Sequence, residues 1–177
     1  MRILGLDPGT ATIGFGVLER LSPTRCSLVS CGCIRTAPGR PLGPRLVEIR
    51  QDLLALIDRY RPDSAAIETL FFNVNVRTAT TVCQTRGVLL LALAERGIAV
   101  DEYGPSEVKK AVAGYGRATK PQIQAMVARI LGLARAPSPD DVADAVAIAL
   151  CHHFSAGPAR SGSMAQKKES RGSAGPR

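Results

Sequence analysis

The chain predicts an α/β domain with a mixed five-stranded sheet flanked by helices. Three observations carry this reading. Period-two apolar patterning fills the first 35 positions, and helix-period stripes then alternate with short buried runs as far as residue 103. Helical patterning alone follows, up to about residue 152.

Residues 2–7 read as a buried strand that ends on Asp7. In "ATIGFGVLE", residues 11–19, Ile13, Phe15 and Val17 alternate with Thr12, Gly14 and Gly16, which predicts a second strand. The "DPGT" between them is turn chemistry. "RCSLVSCGCIR", residues 25–35, is a third β-rich run, and the short connections imply an antiparallel meander. The period then changes. Leu46, Ile49, Leu53, Leu56 and Ile57 mark one face of a helix that Pro62 stops. "SAAIE", residues 64–68, is a short buried strand, again ending on a carboxylate.

Residues 78–96 predict a long helix whose second half, "GVLLLALA", is apolar all round and therefore expected to be buried on several sides. Gly97 ends it. "IAVDEY" is the fifth strand, and helices are expected near 105–113, 119–131 and 138–152. Two crossovers thus add two strands to the meander. From Ser155 onward the chain is Gly, Ser, Ala, Lys and Arg with almost nothing apolar. Such a segment cannot offset its ordering entropy by burial and is expected to be disordered. The organisation is one domain over 1–154 and a basic tail over 155–177.

The formal net charge is +8. The tail holds Arg160, Lys167, Lys168, Arg171 and Arg177 against Glu169, so half of that charge belongs to the domain itself. Such a balance favours a polyanionic partner. The five cysteines form no disulfide-like framework, and no run approaches the length that spans a bilayer. With no secretory h-region at "MRILGLD", a reducing cytoplasm is the expected compartment. Cys31 and Cys33 share one strand face without CxxC spacing, which favours packing over metal binding.

The acids carry the chemistry. Asp7 and Glu68 each end a buried strand, and Asp141 and Asp144 share a helix face in "SPDDVADAVAIAL". Each has a local explanation. Asp7 can cap the turn before Gly9, and Glu68 can be an ordinary strand-end residue. Ser138 with Asp141 has capping-box spacing, Pro139 suits a first helical turn, and acids suit a helix N-terminus. Asp144, on the second turn of a small-residue helix, fits these accounts poorly. Only convergence on metal ions explains all four together. Oxygen ligands with little His or Cys suit Mg²⁺ or Mn²⁺, and two such ions ~4 Å apart would clamp both oxygens of a phosphodiester displacement.

"GLDPGTATIGFGV", "AIETLFF", "VKKAVAGYGRATKPQI" and "DDVADAVAIALCHH" resemble, in order, the four motif blocks of the RuvC family of Holliday-junction resolvases. The resemblance implies an RNase H-like fold and a homodimer that works with the branch-migration proteins RuvA and RuvB. It also implies Mg²⁺-dependent paired nicks in opposed strands of four-way DNA junctions, in recombination and repair, leaving ligatable 5′-phosphate and 3′-hydroxyl ends. Asp7, Glu68, Asp141 and Asp144 fall on the family's catalytic, metal-binding acids, leaving Asp140 as an extra neighbour. His152 stands eight residues beyond Asp144, too far to share the same ions. Lys109 and Lys120 match basic residues that face the scissile DNA, and Phe71 an aromatic that stacks at the junction centre. Arg77 and Arg86 are candidate phosphate contacts, although Arg86 lies on a helix equally suited to a dimer interface.

The first block also resembles the phosphate-binding hairpin of hexokinase-like ATPases, but those enzymes close two domains around a nucleotide and this chain has room for one. Two further rivals are a YqgF-like nuclease of RNA and a junction-binding module that does not cut. The "ETLFF" block, the two lysines and the intact acids favour the resolvase.

Overall fold

A computed structural model describes residues 1–37, 39–69 and 76–155, with the side chains of 76–78 also outside the description. Three antiparallel strands come first: β1 (Arg2–Pro8), β2 (Thr12–Arg20) and β3 (Cys26–Arg35). Helix α1 (Leu42–Tyr60) leads to β4 (Ser64–Glu68), and α2 (Val76–Glu95) leads to β5 (Ala99–Tyr103). Three helices complete the described chain: α3 (Pro105–Ala113), α4 (Lys120–Leu131) and α5 (Asp140–Ser155). The sheet order is β3-β2-β1-β4-β5, with β4 parallel to β1 and β5 parallel to β4. The expected meander with two added strands is therefore observed. Pro139, expected within the last helix, stands just before its first residue.

Alternation along β1 sorts its side chains between two cores. Leu4 and Leu6 pack with Ile49, Leu53 and Ile57 of α1 and with Leu89, Ala92 and Leu93 of α2. Ile3 packs on the opposite face with Val146 to Cys151 of α5, and Val108, Val112, Ile123 and Val127 of α3 and α4 back that helix. Asp7 follows the odd-numbered register and so lies on the α5 face.

Helix α5 is buried almost throughout, from Val142 to His153. It can lie this close to the sheet because glycines floor its path. A β-carbon on Gly5 would strike the Ala145 carbonyl and the Ala149 methyl, and one on Gly16 would come within 2.6 Å of Val146 Cγ2. Small residues on both sides let the backbones approach.

Helix α2 departs from expectation. Leu89, Ala92 and Leu93 are buried, but Leu91 is 54% exposed and Ala94 is also open to solvent. One helix can offer a sheet only one face. The single chain therefore leaves part of the "GVLLLALA" run uncovered. Ion pairs Arg50–Glu95 (2.8 Å) and Arg96–Asp58 (2.8 Å) tie its end to α1.

Candidate active site

The site begins with strand register. Leu6 lies opposite Ile67 in the parallel β1–β4 pair, so the next residues, Asp7 and Glu68, leave the carboxyl ends of adjacent strands. Asp7 pairs with Gly14 of β2, and Gly14 in turn pairs with Cys33 of β3. A β-carbon on Gly14 would collide with the carbonyl oxygen of Asp141. That bare backbone lets the first turn of α5 settle beside Asp7 and brings Asp141 and Asp144 to the strand ends.

The four acids stand near enough to act on one another electrostatically. Burial, and then the negative charges of Glu68, Asp144 and Asp141, push the Asp7 carboxyl from 3.8 up to about 7, against a smaller opposing pull from Lys120. Burial and Asp144 also raise Glu68, while Lys109 and Lys120 pull it down. Two lysines thus stand within electrostatic reach of the acids, Lys109 from α3 and Lys120 from the first turn of α4. Lys120 Nζ lies 2.9 Å from Asp144 Oδ2 and 3.2 Å from Asp140 Oδ2.

The donor set is hard oxygen throughout, as Mg²⁺ or Mn²⁺ requires. Burial and then mutual repulsion lift the Asp7 carboxyl to about 7, and the repulsion is a penalty that a divalent cation would remove. An ammonium already bridges two of the helix acids. The residues therefore fit such ions, but among the described residues no three acidic, His or Cys side chains are drawn close enough to hold one as they stand. Holding an ion there would require side-chain rotation, with release of Asp144 from Lys120.

Other candidates are placed apart. His152 is buried at the far end of α5, its Nε2 3.0 Å from Ser64 Oγ and its Nδ1 3.0 Å from Tyr103 OH. It fastens α5 to β4 and β5 and is no neighbour of the acids. Arg86 is nearly covered, with its Nη2 2.6 Å from Glu102 Oε2. Phe71 lies outside the described residues, as does the side chain of Arg77.

Arg45 has no role in the sequence analysis above, and Cys33 appears there only as strand packing. Arg45 is buried in α1, donating from Nε to Thr36 Oγ1 (3.0 Å) and from Nη2 to the Thr10 carbonyl. It braces the turn that follows Asp7. The signal was available: Arg45 falls on the stripe of Ile49, Leu53 and Ile57, where a charge needs a reason. Cys33 occupies the sheet row of Asp7 and Gly14, and its thiol is raised chiefly by burial, against a pull from Arg35, with Asp141 and Asp7 adding smaller pushes. Only the register reveals that placement.

A family model described as "Crossover junction endodeoxyribonuclease RuvC" matches residues 3–152. A protein of that name from Pelotomaculum thermopropionicum is 54% identical over 152 residues, covering 86% of this chain and 92% of that one. Its namesake from Chloroflexus aggregans is 56% identical over 156 residues, covering 88% and 94%. Among solved structures, Thermus thermophilus RuvC in complex with Holliday junction substrate superposes with a TM-score of 0.83 at 38% identity, covering 87% and 93%.

Proposed function

The chain belongs to the RuvC family of crossover junction endodeoxyribonucleases, and from that premise we propose how it resolves Holliday junctions with its own residues. It is an endonuclease of RNase H-like fold acting on four-way DNA junctions. The carrying observation for the site is that Asp7 is pushed to about 7 by burial and by Glu68, Asp144 and Asp141 acting on it from two other segments, β4 and α5. Acids from three separate elements do not converge in this way by capping alone.

Asp7, Glu68, Asp141 and Asp144 would hold divalent metal ions, Mg²⁺ or Mn²⁺. When bound, such ions supply charge neutralisation and Lewis acidity at a phosphodiester. The protein contributes the rest. β1 and β4 fix two carboxylates at strand ends, and α5 adds two more on one rigid face. Lys109 and Lys120 offer positive charge to the scissile backbone. Phe71 is proposed to stack on a junction base and Arg77 to meet a phosphate. The nicks are proposed to leave 5′-phosphate and 3′-hydroxyl ends.

Two equivalent strands call for two equivalent sites, so we also propose a homodimer, with one site facing each strand. The uncovered Leu91 within an apolar run supports a partner along α2. Action beside RuvA and RuvB in the cytoplasm belongs to the same proposal; Ser155 closes α5, and the rest of the basic tail, 156–177, lies outside the described residues. Among the described residues no helix is long and apolar enough to cross a membrane.

The test offers labelled four-way junction, plain duplex and structured RNA at equal concentration with Mg²⁺. Paired nicks at symmetric positions in the junction alone support the reading. Equal cutting of duplex or RNA, or tight junction binding without any nick, would overturn it.

A further inference from the structure

Asp140 is the acid that the cluster does not absorb. Its carboxylate is turned to α4: Oδ1 accepts from Gln124 Nε2 at 2.9 Å, and Oδ2 meets Lys120 Nζ at 3.2 Å. Lys120 and Gln124 are four apart on one helix and therefore share a face. Lys120 opens α4, just after Thr119, whose N–H donates to Gln122 Oε1 at 2.8 Å and fixes the start of the helix. The result is a fork. One carboxylate grips the same helix face twice, and the ammonium, which has three donors, keeps another for Asp144 Oδ2 at 2.9 Å.

This fork does little to hold the fold together. The Asp140 side chain is 66% exposed and that of Lys120 is 47% exposed, so water and salt screen the pair. What the arrangement does is determine where the ammonium rests. Without the grip of Asp140, a long side chain at a helix start would sample much of the solvent around it.

We propose that Asp140 and Gln124 are positioning residues for Lys120, holding its ammonium on Asp144 as a resident counter-ion that is handed to a backbone phosphate of the junction. The inference rests on reading the four acids as the cleavage site. In the resting protein the ammonium offsets the negative charge of the cluster, which would otherwise repel an approaching phosphodiester. Once Asp144 is neutralised by a divalent cation, its hold on Lys120 weakens while that of Asp140 remains. The ammonium stays within a side chain's length of the strand ends and free to donate to DNA. Asp140 touches neither substrate nor reacting atoms and acts only through Lys120.

Two measurements test this. In protein labelled with ¹³C and ¹⁵N at lysine, without metal, the Lys120 ammonium should stand apart from that of exposed Lys110. Asp140→Asn, Gln124→Ala and added Mg²⁺ should each move it toward the exposed value, and Asp140→Glu should restore it. In single-turnover cleavage at saturating Mg²⁺, Asp140→Asn should slow the reaction about five- to tenfold in the wild-type background and not at all in a Lys120→Met background. A Lys120 resonance indifferent to Asp140→Asn and Gln124→Ala, or losses that simply multiply in the double variant, would overturn the proposal. Wild-type protein that leaves the junction whole would overturn the reading of the cleavage site and not the tether, which the resonance decides alone.

Discussion

Gly14 lies directly beneath Asp141: any side chain on that glycine would occupy the position of the Asp141 carbonyl oxygen. The contact joins β2 to the first turn of α5 at the level of Asp7, so it sets how far the helix acids stand from the strand acids. Gly14→Ala should therefore push α5 outward. Overpacking of this kind costs ~1–3 kcal/mol. Cleavage should fall more than the stability loss explains, by at least ~10-fold, whereas Gly16→Ala, which meets Val146 farther along the helix, should destabilise with a smaller loss of rate. Thermal unfolding and single-turnover rates on both variants check this. Equal rate losses would show that the glycines serve packing alone.

The pH dependence of the metal-free protein follows from Asp7. Its carboxyl is raised to about 7 in the fold against 3.8 when unperturbed, so between those values the folded state binds the extra proton and the unfolded state does not. The stability linked to Asp7 is fully present below pH 3.8 and is lost as the pH rises through 7. Asp7→Asn removes that titration. In EDTA the variant should gain on wild type by ~2–4 kcal/mol between pH 4 and pH 8, with Mg²⁺ narrowing the gap. Urea unfolding across the range measures it, and parallel wild-type and variant curves would contradict the burial and crowding assigned to Asp7.

Arg45 makes a separate prediction. Arg45→Ala leaves the Thr10 carbonyl and the Thr36 hydroxyl without their donor, which should cost ~1–3 kcal/mol. Hydrogen exchange at residues 10–12 should quicken more than exchange in β4. Uniform quickening would mean that Arg45 steadies the whole fold and not the turn after Asp7.

His152 separates the two ends of α5. His152→Ala should destabilise by ~2–4 kcal/mol, through a cavity and the loss of its hydrogen bonds to the Ser64 and Tyr103 hydroxyls. Cleavage at saturating Mg²⁺ and a temperature where the variant is folded should stay within about threefold of wild type. A collapse of rate with an unchanged metal requirement would return His152 to the reaction.

Much of this is legible in the amino-acid sequence. Strands and helices differ in apolar period, and each of Ile13-Phe15-Val17 and Ile49-Leu53-Ile57 shows its period within a few residues. The acids were legible because a carboxylate ending a buried strand, as in "ILGLD" and "SAAIE", is out of place without a partner. What stayed hidden depends on distant segments. Asp140 looks like a helix-start acid until α4 is seen to present Lys120 and Gln124 to it. Cys33 looks like edge-strand packing until the register aligns it with Asp7. Leu91 misled because an apolar run reports that a surface is to be covered, and says nothing of whether the same chain covers it.

Asp7, Glu68, Asp141 and Asp144 are proposed to form one metal-dependent site that cuts a four-way junction. The most direct measurement is the rate of paired nicking of a symmetric junction by wild type and Asp7→Asn in Mg²⁺, with junction affinity measured alongside. The rate should fall at least ~10³-fold with affinity held within about threefold. A variant that nicks within tenfold of wild type would contradict it.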